Sequence, residues 1–376
     1  MKKTIVHIID NLARGGAETM LVTVTKNLPD YNNIIVTLYP QNEFASDLHC
    51  DQLLCLNLSS PLMIPFAAIK LRSVIRQHKV EMVHSHLFWS TVVARLGVPK
   101  NIPLITTIHT FVKTSVEYKP LRMRVIEKLT YLYRKSVIIA VAKGALDEYF
   151  DFIKVKPYKA YTLYTFVDTA IFNNDFAHEP KQAGDTFKIV TVGNLKVQKN
   201  HQFLLTAFKL LAAEPWPVSS PTTLKTLNTS IHLDIYGKGP LDVSLQKMID
   251  EYQLNVTLKG QVTDIQKIIG QYDLYVMSSL YEGFALSVLE AMALGMPMLL
   301  SDIASFREQC EDAAAYFTLA DPADFIAQLL ALKSNPIRLA ELGQEAKRRA
   351  TSFYTLTQHI GQLKTIYLNT LKDYGK

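Results

Sequence analysis

The chain has 376 residues, is 48% hydrophobic and 20% charged, and carries a formal net charge of +6. That length is too great for one ordinary core, so two domains are expected. Cys50, Cys55 and Cys310 are its only cysteines; an odd number without a C-x-x-C pair excludes a disulfide framework or a zinc knuckle, and a reducing, cytoplasmic compartment is the expectation.

Short β-rich runs alternate with helical stretches from end to end, the pattern of βα units building parallel sheets. The first series is TIVHIID (4–10), NIIVTLY (33–39), LLCLNL (53–58), EMVHSH (81–86), PLITTIH (103–109) and SVIIAVA (136–142), with a further extended run over 161–168. Lys2 and Lys3 before the first run resemble the start of a signal peptide, but Asp10 ends it too early. No apolar stretch reaches membrane-spanning length. A polar segment over 173–186 reads as a linker. The second series is FKIVTVG (187–193), IHLDIYG (231–237), NVTLKG (255–260), DLYVMSS (273–279) and MLLSD (298–302), and the Pro-, Ser- and Thr-rich stretch 212–230 reads as a long surface loop. A terminal helix is expected from about 356. Two such series predict two doubly wound domains joined by a hinge, with a ligand cleft between them.

Residues 1–180 hold 21 Lys and Arg against 15 Asp and Glu, whereas the remainder holds 19 of each, so the whole excess of +6 lies in the first half. Much of it falls in residues 113–135, where basic residues interleave with Leu, Met, Val, Ile and Tyr. Such a helix suits peripheral contact with an anionic membrane, and it equally suits a solvated basic face of an ordinary surface helix. Nucleic acid is not expected, because no recognised module and no aromatic ladder accompanies the charge.

The chemistry concentrates where strands hand over to helices. Tyr281 to Asp302, YEGFALSVLEAMALGMPMLLSD, places Glu282 and Glu290 around a helix N-terminus, and Gly295 with Pro297 closes that helix. A helix N-terminus at a strand end offers free N–H groups and a positive dipole end to phosphate. The two carboxylates should lie about 10 Å apart at ~1.5 Å rise per residue, too far for a retaining-glycosidase pair at ~5.5 Å. Three loops join them: NLARGGAETML (11–21), whose Gly15 and Gly16 permit close backbone approach; TVGNLKVQKNH (191–201), whose Lys196 and Lys199 suit a diphosphate; and IYGKGPLD (235–242), with Gly237 and Gly239. His84 and His86 share one strand face, but no third ligand with sensible spacing accompanies them, so no metal site is expected. His109 ends its strand toward the presumed cleft.

Together these motifs resemble glycosyltransferase family 4, the retaining, nucleotide-sugar-dependent enzymes. YEGFALSVLEAMALGMPMLLSD is similar to that family's E-x(7)-E signature, and GGAE, VHSH, TTIHTF, VGNLKVQKNH, YGKGP and LKGQVTDI follow in the family's order. The resemblance implies an α/β GT-B fold, two Rossmann-like doubly wound domains facing each other across a cleft. It implies an acceptor-side domain over 1–172, with a helix near 356–376 packing back on it, and a donor-binding domain over 173–355. The donor is a nucleotide diphosphate sugar and the acceptor a sugar or lipid-linked sugar, as in surface polysaccharide or glycolipid synthesis. The implied catalytic residues are His109, Lys199 and Glu282. Donor-binding roles fall to Gly16, Asn194, Lys196, Gly237, Val262 and Glu290, and to the backbone of Gly283, Phe284, Ala285 and Leu286. No metal or other cofactor is expected, and the expected location is cytoplasmic, peripheral at the inner face of the membrane. Departures from the pattern are Asn194 where Arg is common, Ala285 for a common Gly, and TFVD (165–168) at the hinge. A non-catalytic nucleotide-sugar-binding subunit, and a same-fold phosphorylase or epimerase, remain as alternatives.

Overall fold

A computed structural model describes residues 2–115, 118–172, 186–213, 231–262 and 264–376. The chain divides into two compact units, residues 1–166 with 356–376, and residues 167–355. The expected linker and the expected long loop fall on 173–185 and 214–230, outside the described residues.

The first unit is built on seven strands: β1 (Lys3–Ile9), β2 (Tyr31–Thr37), β3 (Gln52–Cys55), β4 (Met82–His86), β5 (Leu104–Ile108), β6 (Val137–Ala140) and β7 (Lys159–Thr162). Their order across the sheet is β3-β2-β1-β4-β5-β6-β7, and every pairing is parallel. Helices α1 (Gly16–Lys26), α2 (Ile64–Gln77), α3 (Phe88–Gly97), α4 (Leu121–Tyr133) and α5 (Lys143–Ile153) alternate with them. Strands β4, β5 and β6 are buried at every residue, as a parallel sheet covered on both faces requires.

The second unit has β8 (Phe187–Val192), β9 (Ile231–Tyr236), β10 (Val256–Gly260), β11 (Leu274–Met277), β12 (Met298–Ser301) and β13 (Ala315–Phe317). These pair in parallel in the order β10-β9-β8-β11-β12-β13. Its helices are α6 (His201–Ala212), α7 (Asp242–Tyr252), α8 (Leu286–Ala293), α9 (Ala304–Cys310), α10 (Pro322–Lys333) and α11 (Pro336–Phe353). The last two start as their sequences dictate: Asp321 and Asn335 accept from the N–H groups of Ala323 and Arg338, and a proline follows each cap. Helix α8 stops in a Schellman motif, with Gly295 at φ +75°, its N–H on Met292 O and the Met296 N–H on Ala291 O.

The final helix, α12 (Leu356–Asp373), belongs to the first unit, where Leu363, Ile366, Tyr367 and Leu371 join its core. Lys364 pairs with Asp30 at 2.5 Å and Lys159 with Asp373 at 2.6 Å. The units part at 166/167, six residues before the boundary expected from sequence, because Val167 bridges Thr355 and donates its N–H to Tyr354 O at 2.8 Å.

Helix α4 carries the basic segment and inverts the usual amphipathic rule. Its buried residues are Glu127 and Tyr131, while Leu121, Val125, Leu129 and Leu132 are exposed. Glu127 accepts from Arg95 at 2.8 Å and from the Tyr149 hydroxyl at 2.5 Å, and Arg95 also donates to that hydroxyl at 3.0 Å. A desolvated ion pair of this kind holds geometry more than it adds stability. Among the described residues no helix is long and apolar enough to cross a membrane.

Candidate functional site

Strand order places the site in the second unit. From β8 the chain steps to β9 on one side, and from β11 to β12 on the other, so the order reverses between the adjacent strands β8 and β11. The loops leaving such a pair diverge and leave a crevice at their carboxyl ends, where ligands bind in open α/β sheets.

After β8 the chain runs through Gly193, Asn194, Leu195 and Lys196 into a single turn over Val197–Lys199, and Asn200 at φ +52° redirects it into α6. After β11 it passes Ser278 and Ser279 to Glu282. Lys199 Nζ donates to Glu282 Oε1 at 2.7 Å, and Ser279 Oγ donates to the same oxygen at 2.7 Å. Gln198 Nε2 reaches Glu282 Oε2 at 3.4 Å and Tyr281 O at 3.0 Å. The loops are stitched together by Leu280 N–H to Gln198 O at 2.9 Å, and by Ser278 Oγ to the carbonyls of Lys199 and Asn200. Side-chain exposure is 17% for Lys199 and 8% for Glu282, so the pair is sheltered yet reachable. A Cβ at Gly193 would lie 3.2 Å from Lys199 Cε, so the lysine stem rests on the strand end.

Helix α8 follows, with Ala285 as its extended cap. The family resemblance assigns the backbone from Gly283 to Leu286 to a ligand; in this structure the Ala285 N–H goes to Gln309 Oε1 at 3.1 Å while Gln309 Nε2 donates back to Ala285 O at 3.0 Å. The Phe284 ring packs edge-on against Tyr354 at 5.1 Å. Glu290 lies in the second turn, partly buried, its side chain without a hydrogen bond or ion pair among the described residues. Burial pushes its carboxyl up to about 7 against the opposing pull of Lys199. Buried carboxyls shifted in this way are more frequent at functional sites than elsewhere.

Gly237 has a tighter requirement than ligand approach. At φ +144° its missing Cβ would fall 2.0 Å from Gly193 O, and the loops are joined by Gly193 N–H to Tyr236 O at 2.9 Å. The glycine therefore lets the β9 loop press on the β8 loop that carries Lys199. Gly237 N–H donates to Gly260 O at 2.8 Å, two residues before half-buried Val262. A groove of about 900 Å³ opens beside them, lined by Leu195, Gly237, Lys238, Gly260 and α7. Asn194 and Lys196 are exposed, and neither side chain has a partner among the described residues.

The first unit has its own reversal point, between β1 and β4. Parallel pairing sets His7 opposite His84, so the third imidazole that chain spacing did not reveal comes from the neighbouring strand. His7, His84 and His86 are all buried; one nitrogen of each lies within 4.8 Å of those of the others. His86 Nδ1 is 3.2 Å from His109 Nε2. Burial, helped by nearby His359, pushes His109 down to about 3, which favours the neutral ring. Gly16 opens α1, and the extended Gly15 before it lies against the Glu18 carboxylate.

Sequence reasoning missed Ser279, Gln198 and Gln309, which position Glu282 and the α8 cap. A serine ending an apolar strand was a visible signal for the first; the other two depend on tertiary placement.

Comparison with known proteins agrees with this fold. Residues 3–171 match the family model Glycosyltransferase Family 4, and residues 173–349 match Glycosyl transferases group 1. The chain is 25% identical to EpsF of Bacillus subtilis (strain 168), a protein assigned by name to the glycosyltransferases, over 100% of this chain and 99% of that one. It is 22% identical to N-acetyl-alpha-D-glucosaminyl L-malate synthase of Bacillus anthracis, over 81% of this chain and 79% of the relative. Among solved structures it resembles Anabaena HepE in complex with UDP and glucose, with a TM-score of 0.79, 14% identity, and coverage of 98% of this chain and 100% of that one.

Proposed function

We propose that this chain, a GT-B glycosyltransferase of the family 4 type, moves a sugar from a nucleotide diphosphate donor to a hydroxyl of a sugar or lipid-linked sugar with retention of anomeric configuration. The observation that carries this reading is the Lys199–Glu282 pair at the β8/β11 reversal point, beside the α8 N-terminus and Glu290.

As the C1–O bond breaks, its electron pair passes to the departing diphosphate, and Lys199 is the cation placed to receive that charge. The α8 N-terminus adds its positive end. The acceptor oxygen bonds to C1 on the same face, and its proton leaves with the diphosphate. Glu282 releases Lys199 to the phosphate and takes up sugar hydroxyls, while Glu290 holds the ribose. Gly16 and His109 keep the diphosphate and sugar roles that the family resemblance assigns them. The diphosphate chemistry is carried without a metal ion.

The exposed leucines and Val125 of α4, flanked by Arg122, Arg124 and Lys128, support a peripheral seat on an anionic membrane. Surface polysaccharide or glycolipid synthesis is the setting this suits.

A release-and-transfer screen tests the reading. The chain is incubated with UDP-, GDP- and ADP-linked hexoses and N-acetylhexosamines, with and without acceptor alcohols. Slow nucleotide release from one donor, accelerated by an acceptor and giving a product of unchanged anomeric configuration, is expected. An inverted product overturns retention; release that needs no acceptor and is unchanged in Lys199→Ala overturns the site.

A further inference from the structure

The histidine cluster of the first unit is not absorbed by sugar transfer. His7 Nε2 donates to Asn33 Oδ1 at 3.3 Å, and the Asn33 amide is itself oriented by Nδ2 donating to Leu28 O at 2.9 Å. That fixes the His7 proton on Nε2 and leaves the lone pair on Nδ1, which is buried without a partner. His86 Nδ1 engages His109, and His86 Nε2 is likewise buried without a partner. His84 lies between them, its ring centroid 4.2 Å from that of His86 and 5.8 Å from that of His7. Its nitrogens meet the Tyr367 and Thr107 hydroxyls, each at 2.7 Å; either hydroxyl can accept the ring proton, and the other can turn aside. A cavity of about 10 Å³, about the volume of one water-sized sphere, adjoins His84, His86 and Thr107 but not His7, and its other walls are mostly apolar.

We propose that His7, His84 and His86 hold a single divalent transition-metal cation, with Zn²⁺ as the representative ion. Neutral imidazoles are the ligands such ions select, and burial keeps these three neutral. Two orphaned nitrogens, one with its lone pair fixed, and a His84 nitrogen released by one of its hydroxyl partners give three ligands, and a water completes a tetrahedral site. The opposite nitrogen of each ring is held by Asn33, by a hydroxyl, or by His109, the outer support that metal-bound histidines ordinarily have. Ligation at ~2.0–2.1 Å requires nitrogens about 3.3 Å apart, within reach of small rotations from the present limit of 4.8 Å. A bound cation would also fix the His86 tautomer, with Nδ1–H directed at His109. Its place is at the β1/β4 reversal point, and it takes no part in the diphosphate chemistry proposed above.

Full-length protein stripped by chelator and dialysed, then titrated with Zn²⁺ by calorimetry, tests the site independently of any transfer assay. One equivalent per chain is expected, at least tenfold weaker in His7→Asn and unchanged in His49→Asn, whose histidine is exposed. Should His7→Asn fail to fold, the visible spectrum of the wild-type protein with Co²⁺ decides: intense bands of a four-coordinate histidine-rich site support the proposal. A six-coordinate spectrum, binding well below one equivalent, or undiminished binding by folded His7→Asn overturns it.

Discussion

The two reversal points have the same topology and opposite chemistry. Between β8 and β11 stand a charged pair, Lys199 and Glu282, and a carboxyl poised near neutrality. Between β1 and β4 stand buried imidazoles, all held neutral. The sheet order places a crevice in each unit, but the side chains decide what each can do: in the reading proposed above one offers charge to a diphosphate, while the other offers hydrogen bonds and lone pairs. Fold therefore locates both sites and specifies neither.

The strongest way to break this contrast is to remove the cation. Lys199→Ala should lower turnover ~10²–10³-fold, the usual cost of losing one electrostatic stabiliser of a developing anion. It also strands Glu282, which is buried, at a cost to stability of about 2 kcal/mol. The paired variant Lys199→Met with Glu282→Gln should recover the melting temperature without recovering the rate. Wild-type turnover in either protein would remove Lys199 from the site; recovery of both properties would reduce the pair to a structural role.

Acid should unsettle the first unit more than the second, which among the described residues has one such histidine, His201, pushed down to about 3 by burial, set against Glu290, pushed up to about 7. His7 and His359 are pushed down to about 4 and His109 to about 3, whereas the unfolded chain takes up a proton at ~6.5. Below that value the unfolded state binds more protons. The first unit therefore loses stability as pH falls from 6.5 toward 4, by about 1.4 kcal/mol per pH unit for each histidine involved. Limited proteolysis between pH 5 and 7.5, with fragments mapped, should show residues 2–166 losing protection first on acidification. Simultaneous loss in both units would erase the contrast.

Much of this was legible in the sequence because parallel sheets are written as apolar runs, and because glycine and charged residues at strand ends mark the loops. Lys199, Glu282 and Glu290 stood out for that reason. His7 did not: in TIVHIID it reads as one polar residue in a buried strand, and only the β1/β4 register sets it beside His84. Ala285 was assigned a ligand contact by the family resemblance alone; that its N–H meets Gln309, 24 residues further on, depends on tertiary placement. Gly237 read as a ligand contact, although its conformation is demanded by the Gly193 carbonyl. The inverted face of α4 was hidden because the partner of Glu127 is Arg95 on another helix.

Glu290 sharpens the comparison from the other side. Its carboxyl is raised from 4.5 to about 7 by burial, so between those values the folded chain keeps a proton that the unfolded chain has lost. Stability falls as pH rises through that window, with the full penalty, at most about 3 kcal/mol, present above 7. Glu290→Gln, neutral throughout, should melt higher than wild type at pH 8 and equally at pH 4.5. It should bind the donor about tenfold more weakly, having lost charge-assisted hydrogen bonds. Tighter binding, or a melting difference that grows toward acid, would contradict the assignment.

The smallest expected effect is at Asn194, exposed at the end of β8 without a side-chain partner among the described residues. If the β8/β11 crevice works by charge, a second cation there should add to Lys199. Asn194→Arg leaves the backbone contact from Lys196 N–H to Asn194 O untouched, so the melting temperature should stay within error. An added charge-assisted contact of about 1 kcal/mol should lower KM for the donor about fivefold, and the gain should shrink as salt rises because the position is exposed. An unchanged KM at low salt would show that the phosphates do not pass Asn194, and that Lys199 with the helix terminus alone sets the charge of this crevice.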